Sequence, residues 1–260
     1  MIKVGVIGAA GKMGNKILSV LKENDNILIT SAVDAPNNSL KGQKIFNDTN
    51  LKYTDSVLTD IKNVDVYIDF SSVESTLLNL NILSEHKKPV VIGTTGFKED
   101  EIKFIKDISK KIPIVLSPNM SIGVNVLFKL LENASKLLKE YDVELVELHH
   151  NKKKDSPSGT AIKIAEIISN STDRKKEDWI YGRKGLVGER KQKEFGLHAV
   201  RLGDVIGEHT VYFCGNSERI ELTHKAHTRD NFAKGAVKAA LWLFGKKNGL
   251  YDMFDVLELK

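Results

Sequence analysis

The segment of the chain with the clearest chemical content runs from residue 144 to residue 161. It contains the adjacent histidines His149 and His150, then Lys153, and a few residues later a Ser-Pro-Ser-Gly-Thr sequence. A histidine can hold a transferable proton near neutral pH, and a lysine supplies a fixed positive charge. The Ser-Pro-Ser-Gly-Thr sequence predicts a helix over 161–169, whose free N–H groups bind carboxylate or phosphate. We therefore predict a site for a small anionic substrate that must also receive a proton.

Each of these features has an ordinary structural explanation when it is taken alone. Adjacent histidines at the end of a strand are more often surface residues than catalysts, and three consecutive lysines usually form a solvated face. Pro157 suits the first turn of any helix, because the N–H that proline lacks has no partner there. The joint order of these residues in one short segment favours the functional interpretation.

A second candidate site lies near the start of the chain, where Gly8, Gly11 and Gly14 follow a predicted strand and precede a predicted helix. Glycines at such a turn let a pyrophosphate approach the helix N-terminus closely. Their spacing departs from the standard Gly-x-Gly-x-x-Gly, so a tightly packed turn is a real alternative. The position of the turn favours dinucleotide binding, and the candidate residues are Gly8, Ala9, Ala10, Gly11, Lys12 and Met13.

Asp34 is the candidate for holding the cofactor ribose. It follows the strand predicted over 27–33, about 20 residues or slightly more beyond the glycines, where an acidic residue contacts the ribose hydroxyls of NAD. The alternative is that Asp34 forms a turn at the end of the strand, and the sequence favours neither role.

The hydrophobic pattern predicts an α/β protein. Strands are predicted over 3–7, 27–33, 64–70, 89–93 and 114–116, and helices over 13–23, 75–86 and 99–111. This alternation predicts a Rossmann-type parallel sheet. The region 36–58 is predicted to be irregular, with at most one short strand. A helix over 124–141 and strands over 143–148, 196–202, 208–214 and 218–224 predict an α+β domain with an open mixed sheet.

The pattern predicts two domains, because its character changes after Pro118. The segment 173–193 is predicted to be a surface loop, and a last helix is predicted over 232–244.

Composition excludes several classes of function. The 260 residues are 41% hydrophobic and 28% charged, as in ordinary globular enzymes. The net charge of +5 is modest, and no aromatic platform accompanies the lysines, so we predict no nucleic-acid partner. No apolar run reaches about 18 residues and no signal peptide is evident, so we predict a cytoplasmic protein without a membrane partner.

The single cysteine, Cys214, fits a reducing compartment and is predicted to be buried in a strand. No group of cysteine, histidine and acidic residues has zinc spacing, so we predict no metal. Neither a P-loop lysine nor a nucleophile elbow is present, which argues against a kinase or a hydrolase.

The segment 144–161 also resembles a family signature. Its pattern, Glu144-x-x-Glu147-x-His149-x-x-x-Lys153-x-Asp155-x-Pro157-Ser158-Gly159-Thr160-Ala161, is similar to that of 4-hydroxy-tetrahydrodipicolinate reductase (dihydrodipicolinate reductase). The resemblance extends to the Lys12-Met13 pair of the glycine turn and to the segments 201–210 and 231–236. It implies NAD(P)H-dependent reduction of 4-hydroxy-tetrahydrodipicolinate, via its dehydrated form, to tetrahydrodipicolinate in lysine biosynthesis, by a homotetramer. In that family arrangement, residues 1–120 with 231–260 would bind the dinucleotide, and residues 121–230 would bind substrate and build the oligomer. The last predicted helix would pack against the first domain.

The resemblance also implies roles for individual residues. His149 would be the acid, and Lys153 would stabilise developing negative charge and could share the proton-donor role. His150, Gly159 and Thr160 would hold the substrate carboxylates. His209 would be structural or near the substrate, and His224 and His227 would end a strand.

The cofactor residues follow from the same resemblance. Gly93, Thr94 and Thr95 would lie on the nicotinamide side, and Ser117, Pro118, Asn119 and Met120 would form a second cofactor loop. Pro118 and Met120 depart from residue types found in some members. Many members have an arginine after the acidic residue, where this chain has Ala35, so NADH is expected to serve at least as well as NADPH. Lys12 or Lys41 could still reach a 2′-phosphate.

Two other functions remain open at this point. One is a related enzyme that acts on a different small acid, such as an amino-acid dehydrogenase of similar build. The other is a nucleotide-binding sensor without catalytic activity, against which the intact pair of His149 and Lys153 argues.

Overall fold

A computed structural model describes residues 1–47 and 50–260. The chain divides into two compact units, one formed by residues 1–122 with 229–260 and the other by residues 123–228. Each unit is built around its own β-sheet. Among the helices of the described residues, none has both the length and the apolar character that a membrane span requires.

The first unit is organised around a six-stranded sheet in which every pair of neighbouring strands is parallel. Its strands are β1 (Ile2–Ile7), β2 (Ile27–Val33), β3 (Val66–Asp69), β4 (Val90–Ile92), β5 (Pro113–Leu116) and β11 (Gly249–Tyr251). Its helices are α1 (Lys12–Lys22), α2 (Val73–Glu85), α3 (Glu99–Ile108), α6 (Asp230–Leu243) and α7 (Met253–Val256). The strand order is β11-β5-β4-β3-β1-β2, which confirms the predicted Rossmann-type parallel sheet.

The strands form a parallel sheet because their residues are apolar on both faces. All four residues of β3 and all three of β4 are buried. On one face, Ile17 and Leu21 of α1 and the alanines of α6 enter the same core as Val4 and Val6 of β1. The small alanine side chains let α6 lie close to the sheet.

The second unit contains a five-stranded mixed sheet in the order β10-β9-β6-β8-β7. Its elements are α4 (Ile122–Leu137), β6 (Asp142–His149), α5 (Gly159–Ser171), β7 (Trp179–Ile180), β8 (Phe195–Arg201), β9 (Gly207–Cys214) and β10 (Arg219–Ala226). β6 runs parallel to β8 and antiparallel to β9. Along β6, buried residues such as Val143 and Leu145 alternate with half-buried ones. The predicted mixed sheet is therefore confirmed.

Two details differ from the sequence prediction. The segment 173–193 is not only a surface loop, since it contains a 3₁₀ turn (Lys176–Asp178) and β7, whose Trp179 is buried with its indole N–H bonded to Ser169. The elements β11 and α7 were not predicted. The described residues of the region 36–58 agree with the prediction, since Lys44 with Lys52 and Thr54 with Val33 form only isolated bridges, and residues 48 and 49 lie outside the described residues.

The prediction that Cys214 is buried was wrong, because the thiol is exposed. Val211 and Phe213 of β9 are fully buried, and successive side chains of a strand point to opposite faces. Cys214 therefore lies on the other face of the sheet, at the last residue of the strand.

One close approach in the first unit yields a testable prediction. A methyl group at Gly235 of α6 would lie well inside 3.0 Å of the carbonyl oxygen of Met120, which belongs to the loop after β5. Because that neighbour is backbone, Gly235→Ala should lower the free energy of unfolding by about 1–3 kcal/mol. Urea unfolding measures this, with Lys238→Ala on the exposed side of α6 as the control. Equal stability of both variants would contradict the packing described.

Candidate functional site

The glycine turn joins β1 to α1 and is held against the end of β2. Gly8 has a φ of 76°, and the N–H groups of Gly8 and Ala9 donate to the Val33 carbonyl at 2.9 and 3.0 Å. A side chain at Gly8 would come within 2.6 Å of the Phe70 carbonyl oxygen. The positive φ and this close backbone contact both require glycine at position 8. This packing also brings the backbone of the turn to the carboxyl end of the sheet, where open α/β sheets bind ligands.

The start of α1 offers donors for an anion. Its N-cap, Gly11, has an extended backbone and no capping side chain. The first N–H groups of a helix lack an intrahelical acceptor, so those of Lys12 and Met13 are suited to a diphosphate. A dinucleotide fits the residues present at this end of the sheet.

Asp34 lies directly after β2, in contact with the glycine turn. One carboxylate oxygen accepts a hydrogen bond from the Ala10 N–H at 2.7 Å, and the other accepts from the Ala35 N–H at 2.8 Å and from the Asn38 side chain at 2.9 Å. Asp34 therefore forms a turn at the end of β2, which was one of the two roles considered for it. It also lies against the glycine turn, so the other role, holding a cofactor ribose, is compatible with the first. Lys41, which could reach a 2′-phosphate, forms an ion pair with Asp55.

The loop after β4 is anchored from two sides. The Gly93 N–H donates to the Asp69 carbonyl at 2.9 Å, and the aromatic ring of Phe70 fills the space that a side chain at position 93 would need. Thr94 is buried, and its hydroxyl oxygen lies 3.1 Å from that of Thr76. Thr95 is exposed at the end of the loop.

The loop after β5, residues 117–120, offers mostly backbone groups to a ligand. The Ser117 N–H donates to the Ile92 carbonyl at 3.2 Å, and the Ser117 hydroxyl donates to the Asn119 carbonyl at 2.9 Å. Pro118 is exposed, whereas the Met120 side chain lies in the hydrophobic core. Any contact from Met120 to a cofactor must therefore come from its backbone.

In the second unit, the residue that organises the site is Glu147. Its side chain is 1% exposed, and one carboxylate oxygen is hydrogen-bonded to Nδ1 of His149. The Ser158 N–H, just before α5, donates to the other oxygen at 3.2 Å. A single buried carboxylate thus joins the proposed acid to the start of the proposed substrate-binding helix.

Arg201 completes this arrangement from the neighbouring strand β8. Its guanidinium donates two hydrogen bonds to Glu147, at 3.1 and 2.9 Å, and a third to the Asp155 carbonyl at 2.8 Å. The Asp155 carboxylate forms an ion pair with Lys153 at 2.9 Å. His149 and Lys153 are therefore linked through Glu147, Arg201 and Asp155, whose backbone carbonyl accepts from Arg201 and whose carboxylate pairs with Lys153.

Charge compensation controls the ionisation of Glu147. Burial alone would raise its pKa, but hydrogen bonds from His149 and Arg201 outweigh this effect and lower the pKa to about 2. Glu147 is therefore ionised at neutral pH.

The other side of the His149 ring faces Gly207. A side chain at position 207 would come within 2.9 Å of Nε2, so the glycine leaves space beside that nitrogen. His209 lies edge-on to the His149 ring at 5.3 Å and has its own Nε2 3.2 Å from the Ser158 hydroxyl. Burial, followed by the nearby His149, lowers the pKa of His209 to about 3, which keeps His209 neutral.

The predicted substrate ligands surround the start of α5. Ser158 caps the helix by accepting from the Ala161 N–H at 3.1 Å, and the helix begins at Gly159, two residues before its predicted start. Gly159 is exposed with open space around its Cα. Nδ1 of His150 is buried, and the described residues provide no hydrogen-bond partner for it. These groups are suited to binding a carboxylate.

Glu147, His149 and His209 also form a cluster whose ligand atoms lie within 4.8 Å of one another, as a metal site would require. In the arrangement observed, Glu147 is already shared between Arg201, the Ser158 N–H and His149. A metal would have to replace these contacts, and the absence of a metal stays a prediction.

From the sequence alone, Glu147, Arg201 and Gly207 had no assigned role in the site. Glu147 was part of the signature, and its spacing of two residues from His149 along a strand places both side chains on one face. This spacing could have identified Glu147 as a partner of His149 from the sequence. Arg201 begins the segment 201–210 that shares the family resemblance, but its place opposite His149 depends on the pairing of β6 with β8.

Comparisons with known proteins agree with this architecture. Residues 2–120 match the family model for the N-terminus of dihydrodipicolinate reductase, and residues 123–257 match the model for its C-terminus. Proteins named 4-hydroxy-tetrahydrodipicolinate reductase from Syntrophotalea carbinolica and Geotalea daltonii are each 46% identical to this chain, over the full length of both partners. A dipicolinate-bound dihydrodipicolinate reductase from Paenisporosarcina sp. TG-14 shares the fold, with a TM-score of 0.80, 24% identity and 98% coverage of each chain.

The buried charge of Glu147 predicts a specific dependence of stability on pH. Its pKa is about 2 in the folded protein against an ordinary value of 4.5, so its stabilising effect is present above pH 4.5 and is lost as the pH falls toward 2. Glu147→Gln should lower the free energy of unfolding by about 3 kcal/mol at pH 7. The difference from the wild type should shrink below pH 4.5.

Urea unfolding between pH 7 and pH 3 measures both effects. The matched control is Glu208→Gln, because Glu208 forms a more exposed ion pair with Lys225 at 3.6 Å. That variant should lose less than about 1 kcal/mol. A difference between Glu147→Gln and the wild type that does not change with pH would contradict the assignment.

Proposed function

This chain belongs to the dihydrodipicolinate reductase family, and we propose that it reduces 4-hydroxy-tetrahydrodipicolinate, through its dehydrated form, to tetrahydrodipicolinate. This NAD(P)H-dependent reaction belongs to lysine and diaminopimelate biosynthesis. The observation that carries the proposal is the linked pair of His149 and Lys153 beside the open N-terminus of α5. A proton donor, a fixed cation and a carboxylate-binding helix start are what reduction of a small dicarboxylate requires.

The parallel-sheet unit is the dinucleotide-binding part of the enzyme, and reduced nicotinamide supplies a hydride when it is bound. The first N–H groups of α1 would hold the diphosphate, and Asp34 would hold the ribose. The loops 93–95 and 117–120 would hold the nicotinamide half. Asp34 would repel a 2′-phosphate, Ala35 carries no compensating charge, and Lys41 is paired with Asp55. These features support NADH as a cofactor at least as good as NADPH.

His149 is the proposed proton donor. Nδ1–H is engaged by the ionised Glu147, so the proton that the imidazolium form of His149 transfers is the one on Nε2, on the side where Gly207 leaves space. Transfer of a hydride to a conjugated imine adds negative charge to the substrate, and this proton balances it. Lys153, only 19% exposed, supplies a positive charge that stabilises the developing negative charge.

His150, Gly159 and Thr160 are the proposed substrate ligands. His150 is only partly buried, so its imidazole can bind a carboxylate, and the N–H groups at the start of α5 can bind the same or the second carboxylate. The dipicolinate bound to the related enzyme from Paenisporosarcina sp. TG-14 is such a dicarboxylate. The homotetramer stays a prediction, which analytical ultracentrifugation of the full chain would test.

The proposed reaction can be measured by loss of NADH or NADPH absorbance, with substrate generated in situ from pyruvate and aspartate semialdehyde by the preceding synthase. We expect rapid oxidation that requires the complete mixture and is at least as fast with NADH. No oxidation with either cofactor, in a folded protein that binds NADH, would contradict the proposal. It would favour a different small-acid substrate or a sensor.

The proposed residue roles predict the behaviour of variants in the same assay. His149→Gln and Lys153→Met should each lower kcat by about 100-fold or more, because each removes a group that acts on the reacting atoms. Binding of NADH should remain unchanged in both variants. His227→Gln is the control, since this histidine is exposed and lies outside the site. Turnover that survives both substitutions, with substrate affinity intact, would show that the roles are assigned wrongly.

A further inference from the structure

The second unit contains a buried histidine that the proposed reaction does not use. His209 lies on β9, opposite Glu147 of β6, and is 4% exposed. Nδ1 of its ring is buried, and the described residues provide no hydrogen-bond partner for it. A buried polar group without a partner costs free energy, whereas an apolar side chain at the same position would not carry that cost. The presence of a histidine here therefore calls for a reason.

The other nitrogen of the His209 ring is hydrogen-bonded at the start of α5. Nε2 lies 3.2 Å from the hydroxyl oxygen of Ser158. That oxygen accepts a hydrogen bond from the Ala161 N–H at 3.1 Å, so the proton of the hydroxyl is available for donation. Because burial lowers the pKa of His209 to about 3, the ring is neutral and one of its nitrogens accepts a hydrogen bond. We assign that nitrogen to Nε2, which accepts the proton of Ser158.

Ser158 is thus held from three sides. Its hydroxyl accepts from within α5 and donates to β9, and its N–H donates to Glu147 of β6. Ser158 is 2% exposed, whereas Gly159 and Thr160, the next two residues and proposed substrate ligands, are more exposed. The buried contacts of Ser158 therefore fix where the first N–H groups of the helix lie relative to the sheet.

We propose that His209 is a positioning residue for the carboxylate site at the start of α5. Its Nε2 holds the hydroxyl of Ser158, and so keeps the helix start in register with the sheet that carries His149. The inference rests on the proposed function, which assigns the N–H groups at this helix start to a substrate carboxylate. It goes further by placing part of the affinity for the dicarboxylate in a buried ring that acts through Ser158.

A matched pair of variants tests the role of the ring nitrogen. His209→Gln places an amide oxygen close to the position of Nε2, whereas His209→Met fills a similar space without a strong hydrogen-bond acceptor. The Kd for dipicolinate, measured by calorimetry in the presence of NADH, should rise about five-fold in His209→Met, as expected for one lost hydrogen bond. His209→Gln should bind dipicolinate nearly as the wild type does.

Steady-state kinetics separate positioning from a general loss of structure. In His209→Met the KM for the dicarboxylate should rise, while kcat and the Kd for NADH change much less. His224→Met is the control, because His224 lies opposite His209 on β10, one strand further from β6, and also has a buried Nδ1. This control should bind dipicolinate as the wild type does. Thermal unfolding of each variant shows that the protein titrated is folded.

A double-mutant cycle tests whether His209 acts through Ser158. Ser158→Ala should itself weaken dipicolinate binding, and adding His209→Met should cause little further loss, since both substitutions break one hydrogen bond. Wild-type affinity in His209→Met, equal weakening in His209→Gln or in His224→Met, or additive losses would overturn the inference. Wild-type affinity in Ser158→Ala would overturn it as well, whether or not the His209 variants fold.

These binding measurements do not depend on turnover. A chain that binds dipicolinate but does not reduce the proposed substrate would contradict the proposed function, and the same titrations would still decide the inference. A chain that is fully active, but whose His209→Met variant binds dipicolinate normally, would contradict only the inference.

Discussion

The second unit depends on the buried interaction between the Glu147 carboxylate and its three partners. Two of them, His149 and Ser158, belong to the segment with the clearest chemical content, and the third, Arg201, comes from a neighbouring strand. An ionised carboxylate in the interior is costly unless its oxygens are saturated with donors. Here one of the groups that stabilise it, His149, is also the acid of the proposed chemistry. Folding and the orientation of the acid therefore rely on the same contacts.

A different constraint shapes the parallel-sheet unit, where backbone groups must approach one another at the carboxyl ends of the strands. Gly8 lies against the Phe70 carbonyl, and Gly93 lies against the Phe70 ring. These contacts align three successive loops along one edge of the sheet. The cofactor contacts proposed for this edge come largely from the backbone. For that reason the residue types at Pro118 and Met120 are compatible with the proposed cofactor contacts.

The sequence predicted most of the framework, because strands that are apolar on both faces and amphipathic helices leave strong periodic signals. It did not predict which face Cys214 would occupy, nor the short strand at Trp179, since both depend on how segments far apart in the chain pair. The same limit applies to the site. His149 and Lys153 could be identified from local order, but Arg201 and His209 reach Glu147 only through the register of β6 with β8 and β9.

The most direct test of the role given to Glu147 is ¹⁵N NMR of the His149 imidazole in the folded wild-type chain, assigned with a His149→Gln variant. We expect neutral His149 to carry its proton on Nδ1, in a strongly deshielded hydrogen bond to Glu147, with Nε2 unprotonated. An Nε2-protonated tautomer, or the averaged signals of a freely exchanging imidazole, would contradict it.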